Sequence, residues 1–600
     1  MTIATTSSDN SSIIERQTSN GSSSIETNGT AVGAYQERIT TSPSPPLTQA
    51  PPANKHPKNT LIEKTMQSLP TLSSSPWMDK VQRGFVYAGL FMGIFAIIVQ
   101  SSIVAPAMSK IATEMHDIGN QTWVAVAYFL GLNCAQAIAG KFVDIFGRKP
   151  IMLFGQSFFS IGSLICALTP NMDGLIAGRA ISGFGGGSVI SLAFVIAADI
   201  TPLEHRPRIN SALSMVYGLA AMTGPLMGGA FVDQVTYRWD FWLNLILGCT
   251  SLVIMAVFFK ESNATLTRDE PLWAKIKRID GLGVILSAGT ITCILCALNW
   301  GPMHGWGDGH TIGAFVATGV SLLALIIVEM KVAKEPIFPP QLLKNPKVSM
   351  LYLYMWCLGF GFVGIMFFGP ITYQSVFGSD STMSSVRLIP YFGALIIGAL
   401  TCGQLLQWFP YPKVYMIIAG TFVTLGFSLF QLTNEKSNWG HQACFFILSG
   451  FGFGFSQQNV ILTAQSIAGK QYLAIATTLV NFFLLLASPM GLAIYEAVFA
   501  AFRYAQFDGL PSDVLEVAQE YNALENYLYI RNVPAEYQPP LVHAYMEAVR
   551  NVFIFPAVAG GIILIIALLS PNVRLGGGHP TTAAKGIKKD EEASHFCDKK

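Results

Sequence analysis

The sequence has few charged residues and lacks the marks of a soluble enzyme. Only 12% of its 600 residues are charged, while 51% are apolar. A water-covered surface needs more charge than this, so the composition excludes a set of soluble domains. The formal net charge of +2 gives no reason to expect a nucleic-acid partner. The sequence has no metalloprotease, nucleophile-elbow or phosphate-loop motif in a segment where the motif could function. We therefore expect no enzyme activity, no cofactor and no metal site.

Cysteine is also scarce, at nine residues, and most of these lie inside apolar runs. Cys293 and Cys296 have a CxxC spacing, but their apolar setting favours packing over redox or metal chemistry. The extreme N-terminus lacks a charged segment followed by an apolar one, so we expect no cleaved signal peptide. The first apolar run would then itself direct insertion into a membrane.

What the sequence has instead is long uncharged runs, which recur from about Phe85 to Leu569. A helix needs about 20 apolar residues to cross the hydrocarbon core of a bilayer. The runs therefore predict an all-α transmembrane fold with about fourteen spans. The predicted spans are 84–107, 122–140, 151–168, 174–198, 209–232, 240–259, 281–299, 311–331, 348–371, 386–407, 412–431, 442–464, 472–497 and 551–569.

The predicted spans fall into a pattern of six, two and six. Residues 84–260 hold the first six spans, and residues 348–570 hold the last six together with an outer loop at 503–550. Residues 261–347 hold a linking pair of spans between charged loops. Two related halves with a substrate site at their interface are a common design in secondary transporters. The outer loop contains VLEVAQEYNALENYLY, whose helical spacing predicts a surface helix or a lid.

Both tails are predicted to lie in the cytoplasm. Residues 1–83 are rich in Ser, Thr, Pro and Asn, a composition that predicts disorder, and residues 571–600 form the second tail. Basic residues such as Arg148, Lys149 and Lys347 concentrate in the loops on the side of the N-terminal tail. The positive-inside rule assigns that side to the cytoplasm. We expect the plasma membrane, with the vacuolar membrane as the alternative.

The strongest local signal is GKFVDIFGRKP, between the second and third predicted spans. Its Gly140, Asp144, Gly147, Arg148 and Lys149 are similar to motif A of the major facilitator superfamily. The glycines allow a tight turn, and Asp144 near a helix end can pair with Arg148 or cap a neighbouring helix. The resemblance implies a gate that stabilises the outward-facing state by tying the two halves together.

Two further motifs extend the resemblance. In the fourth span, GRAISGFGGGSV places Arg179 in the membrane, where a charged side chain is costly and usually faces a polar cavity. This segment looks like motif B, which implies a part for Arg179 in proton coupling. In the fifth span, GPLMGG looks like the antiporter motif C, which the family associates with exporters. Its residues are Gly224, Pro225, Gly228 and Gly229.

The segments RWDFWLN and TWVAVAYFL resemble the fourteen-span drug:proton antiporter branch and its fungal toxin-efflux relatives. The first span departs from that branch, because VQSSIV places Gln100 where an aspartate is usual and Ser102 at the hydroxyl position. Glutamine cannot titrate, so proton coupling must use another group or be absent. We predict Glu496 for this role, since it shares an approximate helical stripe with Asn481 and Ser488. The alternative is that Glu496 lies near the outer end of its helix, exposed to water.

These features predict a secondary active transporter that exports small organic compounds, drugs or toxins, by alternating access. The partners we expect are a small-molecule substrate, protons as the coupling ion and the lipid bilayer. We expect a monomer whose substrate cavity is lined by Gln100, Ser102, Trp123, Tyr128 and Asn481. Two alternatives stay open: proton-coupled uptake of a nutrient or siderophore, and a membrane sensor that binds a ligand without moving it.

Overall fold

Long helices dominate the computed structural model of the chain. The structure describes residues 76–104, 107, 111, 114–117, 120–202, 205–260, 271–333, 335–469, 472–524 and 527–575, and these residues contain no strand. The predicted disorder of the N-terminal tail falls outside the described residues as far as residue 75. The predicted C-terminal tail falls outside them from residue 576 onward.

The first six helices form the N-terminal half. Apolar runs of more than five turns let each helix satisfy its backbone internally, which is the condition for a segment in lipid. Asn171 caps the fourth helix by accepting a hydrogen bond from the Gly174 N–H at 3.0 Å. The helices are α1 (Pro76–Ser102), α2 (Gln121–Phe146), α3 (Arg148–Leu168), α4 (Met172–Ile200), α5 (Arg206–Gln234) and α6 (Arg238–Phe258).

Eight more helices complete the pattern. The linking pair is α7 (Gly281–His304) and α8 (Gly309–Lys331), which pack against each other. The C-terminal half consists of α9 (Pro346–Ser375), α10 (Ile389–Trp408), α11 (Pro412–Phe430), α12 (Trp439–Ala468), α13 (Leu473–Phe507) and α14 (Gln538–Leu569). A π-helical turn, Gly364–Phe368, interrupts α9.

The predicted arrangement of six, two and six helices is confirmed. Within the described residues, 12 helices are long and apolar enough to cross a membrane. The other two long helices, α5 and α12, have 29 and 30 residues but carry more polar side chains. In α12 these include Gln457, Gln458 and Asn459, which are buried in the protein. A helix whose polar groups face other helices needs less overall hydropathy to lie in the bilayer.

The structure differs most from the predicted bounds at three helix ends, one of which is the end of α13 at Phe507 rather than at residue 497. Helix α1 begins at Pro76, inside the predicted tail 1–83, and α14 begins at Gln538 rather than near residue 551. Backbone hydrogen bonding continues beyond the apolar run that marks each span, so a helix can extend past the membrane boundary. The outer loop is correspondingly shorter, and its predicted surface helix covers Ser512–Glu520, followed by a 3-10 helix at Tyr527–Asn532.

Glycines bring the helix backbones of each half into direct contact. A Cβ at Gly183 of α4 would collide with the carbonyl oxygen of Tyr128 of α2, and one at Gly187 would collide with the carbonyl oxygen of Leu132. In the C-terminal half, Gly454 of α12 makes the same kind of contact with α10. Small residues at such crossings allow the close packing that holds membrane helices together.

We therefore predict that Gly183→Val destabilises the protein strongly, because the added side chain must push α2 away from α4. Overpacking of this kind costs roughly 1–3 kcal/mol or more. Thermal unfolding of the detergent-purified chain measures the effect. The matched control is Gly319→Val in α8, where an added Cβ meets nothing within 4 Å. Equal unfolding temperatures for the two variants would contradict the proposed role of Gly183.

Candidate functional site

The two halves meet along two helix pairs, α2 with α13 and α5 with α10. We call the face with the α2–α3 turn the inner face, which the sequence predicts to be cytoplasmic, and the opposite one the outer face. Near the inner face, a Cβ at Gly140 of α2 would lie 3.0 Å from the Cα of Ile475 of α13. Arg208 of α5 donates a hydrogen bond of 2.8 Å to Gln407 of α10. Both pairs are thus in contact at their inner ends.

The residues of the GKFVDIFGRKP segment connect helix ends at the inner face of the N-terminal half. Gly147 has a φ of 95°, a conformation that favours glycine, and it separates α2 from α3. Arg148 forms an ion pair of 3.0 Å with Asp199 at the end of α4. Lys149 donates a hydrogen bond of 2.8 Å to the carbonyl oxygen of Ala256 at the end of α6. These charges join helices of one half, and the predicted gating role of the segment stays a prediction.

A charge cluster connects the N-terminal half to the linking pair. Lys141 Nζ lies 2.7 Å from Glu335 Oε2, and Arg278 Nε lies 2.9 Å from Glu335 Oε1. Asp144, one turn from Lys141, is attracted to the same group of cations. Partial burial alone would raise the pKa of Glu335, but the hydrogen bonds from Arg278 and Lys141 outweigh it and hold that pKa below its usual range. The carboxylate of Glu335 therefore bridges two segments at neutral pH.

Arg179 of α4 is buried, with 1% of its surface exposed. Its Nε donates a hydrogen bond to the backbone carbonyl oxygen of Val124, and its Nη1 donates one to the backbone carbonyl oxygen of Gln100, both at 3.0 Å. The guanidinium carbon lies 4.2 Å from the ring centre of Tyr128, whose hydroxyl donates to the Ile97 carbonyl oxygen at 2.7 Å. Carbonyl oxygens and an aromatic face replace the water that a guanidinium loses on burial. Arg179 thus ties α4 to α1 and α2.

The side chain of Gln100 belongs to the same buried network. Its Nε2 donates to Ser182 Oγ of α4 at 3.1 Å, and its Oε1 accepts a hydrogen bond of 3.2 Å from Ser163 Oγ of α3. Both ends of the amide are therefore satisfied by neighbouring helices. The structure brings Gln100, Tyr128 and Arg179 together, and the prediction that Gln100 and Tyr128 line a substrate cavity stays a prediction.

The GPLMGG segment forms a close contact between α5 and α1. A Cβ at Gly224 would collide with the hydroxyl of Ser102, which itself donates to a carbonyl oxygen of its own helix. Pro225 lies inside α5, where it removes one backbone hydrogen bond. Gly228 is buried, and an added Cβ at Gly229 would meet nothing within 4 Å. Gly224 is thus the residue of this segment that sets the distance between α5 and α1.

The predicted polar stripe on α13 divides into a buried part and an exposed part. Asn481 and Ser488 are buried, whereas Glu496 is exposed. Asn481 Nδ2 donates to the Thr477 carbonyl oxygen at 3.0 Å. Glu496 lies about 35 Å along α13 from Leu473 at the helical rise per residue. This position is about two thirds of the way along α13, which continues to Phe507. The role of Glu496 in proton coupling and the alternative that water reaches it both stay predictions.

A cavity of about 350 Å³ lies between the linking pair and α13. Its walls include Leu325 of α8 and Phe482 and Phe483 of α13. None of the residues predicted to line a substrate cavity lies in these walls. Trp123 instead contacts Trp300 of α7, with ring centroids 6.3 Å apart. The predicted cavity residues are therefore spread over several contacts.

Polar side chains with an unpaired oxygen lie on α2 and α13, two helices that meet between the halves. Asn133 and Gln136 share the face of α2 that carries Gly140, while Thr478 and Asn481 lie on α13 beside the same contact. Each of these four side chains has a buried oxygen that lacks a hydrogen-bond partner within the described residues. An unpaired buried oxygen costs free energy that hydration restores. These side chains are therefore less well satisfied than the amide of Gln100 beside Arg179.

Sequence reasoning missed the acidic partners on the inner face. Asp199 and Glu335 pair with Arg148, Lys141 and Arg278, yet neither acid belongs to a motif recognised in the sequence. A signal for them exists, because each acid lies in or beside a loop that is otherwise rich in Lys and Arg. An anion at such a place has cationic neighbours whichever way the helices pack.

Comparison with known proteins extends these observations. The efflux pump aflT of Aspergillus parasiticus is 28% identical over 481 residues, which cover 78% of this chain and 91% of that pump. The MFS-type transporter astH of Aspergillus oryzae is 29% identical over 496 residues, covering 82% of this chain and 87% of that protein. An uncharacterised MFS-type transporter of Mycobacterium tuberculosis is 28% identical over 508 residues, covering 84% of this chain and 72% of that protein.

Two solved structures share the fold at low sequence identity. The human organic anion transporter MFSD10 has a TM-score of 0.51 at 12% identity, covering 80% of this chain and 99% of that one. The proton:xylose symporter XylE has a TM-score of 0.53 at 12% identity, covering 83% and 97%. The family model of the Major Facilitator Superfamily matches residues 90–492. This chain therefore belongs to the Major Facilitator Superfamily and is a multi-pass membrane transporter of small molecules, not an enzyme.

Proposed function

We propose that this transporter exports small organic compounds, drugs or toxins, in exchange for protons. The observation that carries the proposal is the likeness to fungal relatives named efflux pumps, including aflT over 91% of its length. The GPLMGG segment supports the same direction of transport, because it resembles the antiporter motif and sets the α1–α5 distance at Gly224. A helix with a proline and a small-residue face can shift against its neighbour, as export by alternating access requires.

The inner face would open by separating α2 from α13 and α5 from α10. Opening exchanges the contact at Gly140 and the hydrogen bond from Arg208 to Gln407 for contacts with water. The unpaired oxygens of Gln136 and Asn481 lower the cost of this step, since water satisfies them in the open state. The bridge from Lys141 to Glu335 opposes it. We propose that the free energies that favour the open and the closed inner face nearly balance, so that both conformations are populated.

We assign proton coupling to Arg179 and Glu496, the two groups that the sequence predicts. Arg179 supports the assignment because its hydrogen bonds reach α1 and α2, so a change in its surroundings alters the packing of three helices. We further propose that the protein is a monomer in the plasma membrane with both termini in the cytoplasm. The basic residues of the inner face support this orientation.

Flux through reconstituted vesicles tests the proposal. We expect a proton gradient to drive several members of a panel of drugs, dyes and fungal toxins out of the compartment that the inner face contacts. Glu496→Gln should remove the gradient-dependent part, because the amide cannot titrate. Glu516→Gln, which changes an exposed acid of the outer loop, should leave it intact.

The opposite outcomes separate the alternatives. Gradient-driven flux that survives Glu496→Gln would remove Glu496 from the mechanism. Gradient-driven movement of a labelled nutrient or siderophore toward the inner side would replace export by uptake. Binding of panel compounds without flux of any of them would replace transport by sensing.

A second prediction concerns Glu335 and pH. With Thr478→Cys as a reporter beside Gly140, Glu335→Gln should raise the rate of maleimide labelling about two- to fivefold, because exposed ion pairs contribute up to about 1 kcal/mol each. Since the pKa of Glu335 is lowered, its bridge is intact above the ordinary value of 4.5 and is lost as pH falls through the lowered pKa. Labelling of the reporter protein with Glu335 intact should therefore rise only in strongly acidic medium, where a pyridyl disulfide replaces the maleimide because the thiolate that maleimide requires is scarce at low pH.

The control for this experiment is Glu547→Gln, which removes an ion pair with Arg550 near the outer face. It should leave reporter labelling unchanged, because the outer contacts do not hold the inner face closed. Equal labelling of the Glu335→Gln and Glu547→Gln reporters would show that Glu335 does not stabilise the closed inner face.

A further inference from the structure

Asp240 is a buried acid that lies outside the groups assigned to proton coupling above. It lies in the first turn of α6 and has 0% of its surface exposed. Neither of its carboxylate oxygens has a hydrogen-bond partner within the described residues. A buried carboxylate without partners is costly when ionised, and a position at a helix N-terminus offsets only part of that cost. The group is therefore sensitive to the charge of its neighbours.

The neighbours of Asp240 come from the helices packed around α6. The buried stripe of α6 continues from Asp240 through Asn244 to Gly248, which contacts Phe159 of α3. Helix α6 also packs along α1, whose residues 84–102 contain a single titratable side chain, Tyr87. Arg238 lies on the same turn as Asp240 but donates to carbonyl oxygens at the end of α3.

The cation that Asp240 is attracted to is Arg179 of α4. The other titratable groups around Arg179 are Cys166 of α3 and Tyr128 of α2. The hydrogen-bond and ring partners of Arg179 are all uncharged, namely two carbonyl oxygens and an aromatic face. Asp240 is thus the acid positioned to balance the buried guanidinium within the described residues.

We propose that Asp240 is a proton-binding site, and that its protonation controls how tightly Arg179 holds α1 and α2. The proposal rests on the proton coupling proposed above. With Asp240 ionised, its negative charge offsets the positive charge of Arg179 inside the N-terminal half. When a proton binds to a carboxylate oxygen, the attraction is lost, and Arg179 is left with uncharged partners only, namely the backbone carbonyl oxygens of Gln100 and Val124 and the ring of Tyr128. The packing of α1 and α2 against α4 then changes.

This arrangement supplies the acid that α1 lacks. The side chain of Gln100 cannot carry a proton to and from the site. The backbone carbonyl oxygens of Gln100 and Val124, however, both accept hydrogen bonds from the guanidinium that Asp240 attracts. A carboxylate on α6 therefore acts on the same cation as the residues at the end of α1. Because α2 also contacts α13, a shift of α2 reaches the interface between the halves.

The first experiment measures proton binding directly and needs no substrate. The full chain in lipid vesicles is titrated with acid and followed by infrared difference spectroscopy in the region of the carboxylic-acid C=O stretch. The spectrum of the wild type should contain a band that Asp240→Asn lacks. Asp240→Glu should restore a band with a shifted midpoint, which separates loss of the proton site from loss of the fold.

The matched control is Asp173→Asn, since Asp173 also lies in the first turn of its helix, α4, but is exposed. Its spectrum should keep the band that Asp240→Asn loses. A folded Asp240→Asn protein with the same titration spectrum as the wild type would overturn the proposal. Loss of fold in Asp240→Asn leaves Asp240→Glu to decide, because an unchanged midpoint in that variant would equally overturn it.

The second experiment separates this proposal from the proposed function. In vesicles loaded with the panel of drugs, dyes and toxins, Asp240→Asn should lose proton-driven flux roughly tenfold or more, within the range of coupling between two binding sites. Exchange of the same compounds without a gradient should persist. Undiminished proton-driven flux in Asp240→Asn would overturn the proposal for Asp240. Wild-type flux without any response to protons would instead overturn the proposed coupling, while the infrared titration still decides whether Asp240 binds a proton.

Discussion

The close approach of helix backbones at glycine is the contact on which the rest of this structure depends. Lipid is as apolar as a leucine side chain, so hydrophobic burial does not draw one membrane helix to another, and close packing must do so. Gly183 and Gly187 let α4 lie directly on α2. This short distance is what lets Arg179 reach the carbonyl oxygens of Val124 and Gln100. A wider helix separation would leave the guanidinium without partners inside the bilayer.

Buried amide side chains are satisfied to different degrees at Gln100 and at the helices that join the halves. Around Arg179, the amide of Gln100 is satisfied at both ends by serines. Along the contact of α2 with α13, Gln136 and Asn481 each retain an oxygen without a partner within the described residues. A satisfied network resists separation, whereas an unsatisfied one gains hydration when it parts.

Charged side chains also lie in two different environments, one reached by water and one buried. On the inner face, Glu335 pairs with Lys141 and Arg278 where water reaches all three side chains, so each pair contributes little and can be broken and remade. Inside the N-terminal half, Asp240 and Arg179 are shielded from water, and a single proton there changes the local charge balance much more. This difference in environment is the basis for proposing a gate at Glu335 and a proton-binding site at Asp240.

The sequence by itself determined the number and order of the helices, because a run of apolar residues long enough to cross lipid is a local property. It also placed Arg179 in the membrane and Gly147 at the α2–α3 turn. It set the starts of α1 and α14 and the end of α13 wrongly, since helical hydrogen bonding continues past the apolar run. Only the tertiary structure decided that Arg148 pairs with Asp199, that Gln100 is satisfied by Ser163 and Ser182, and that Asp240 is attracted to Arg179. These partners lie tens of residues apart, and they meet because of how the helices pack.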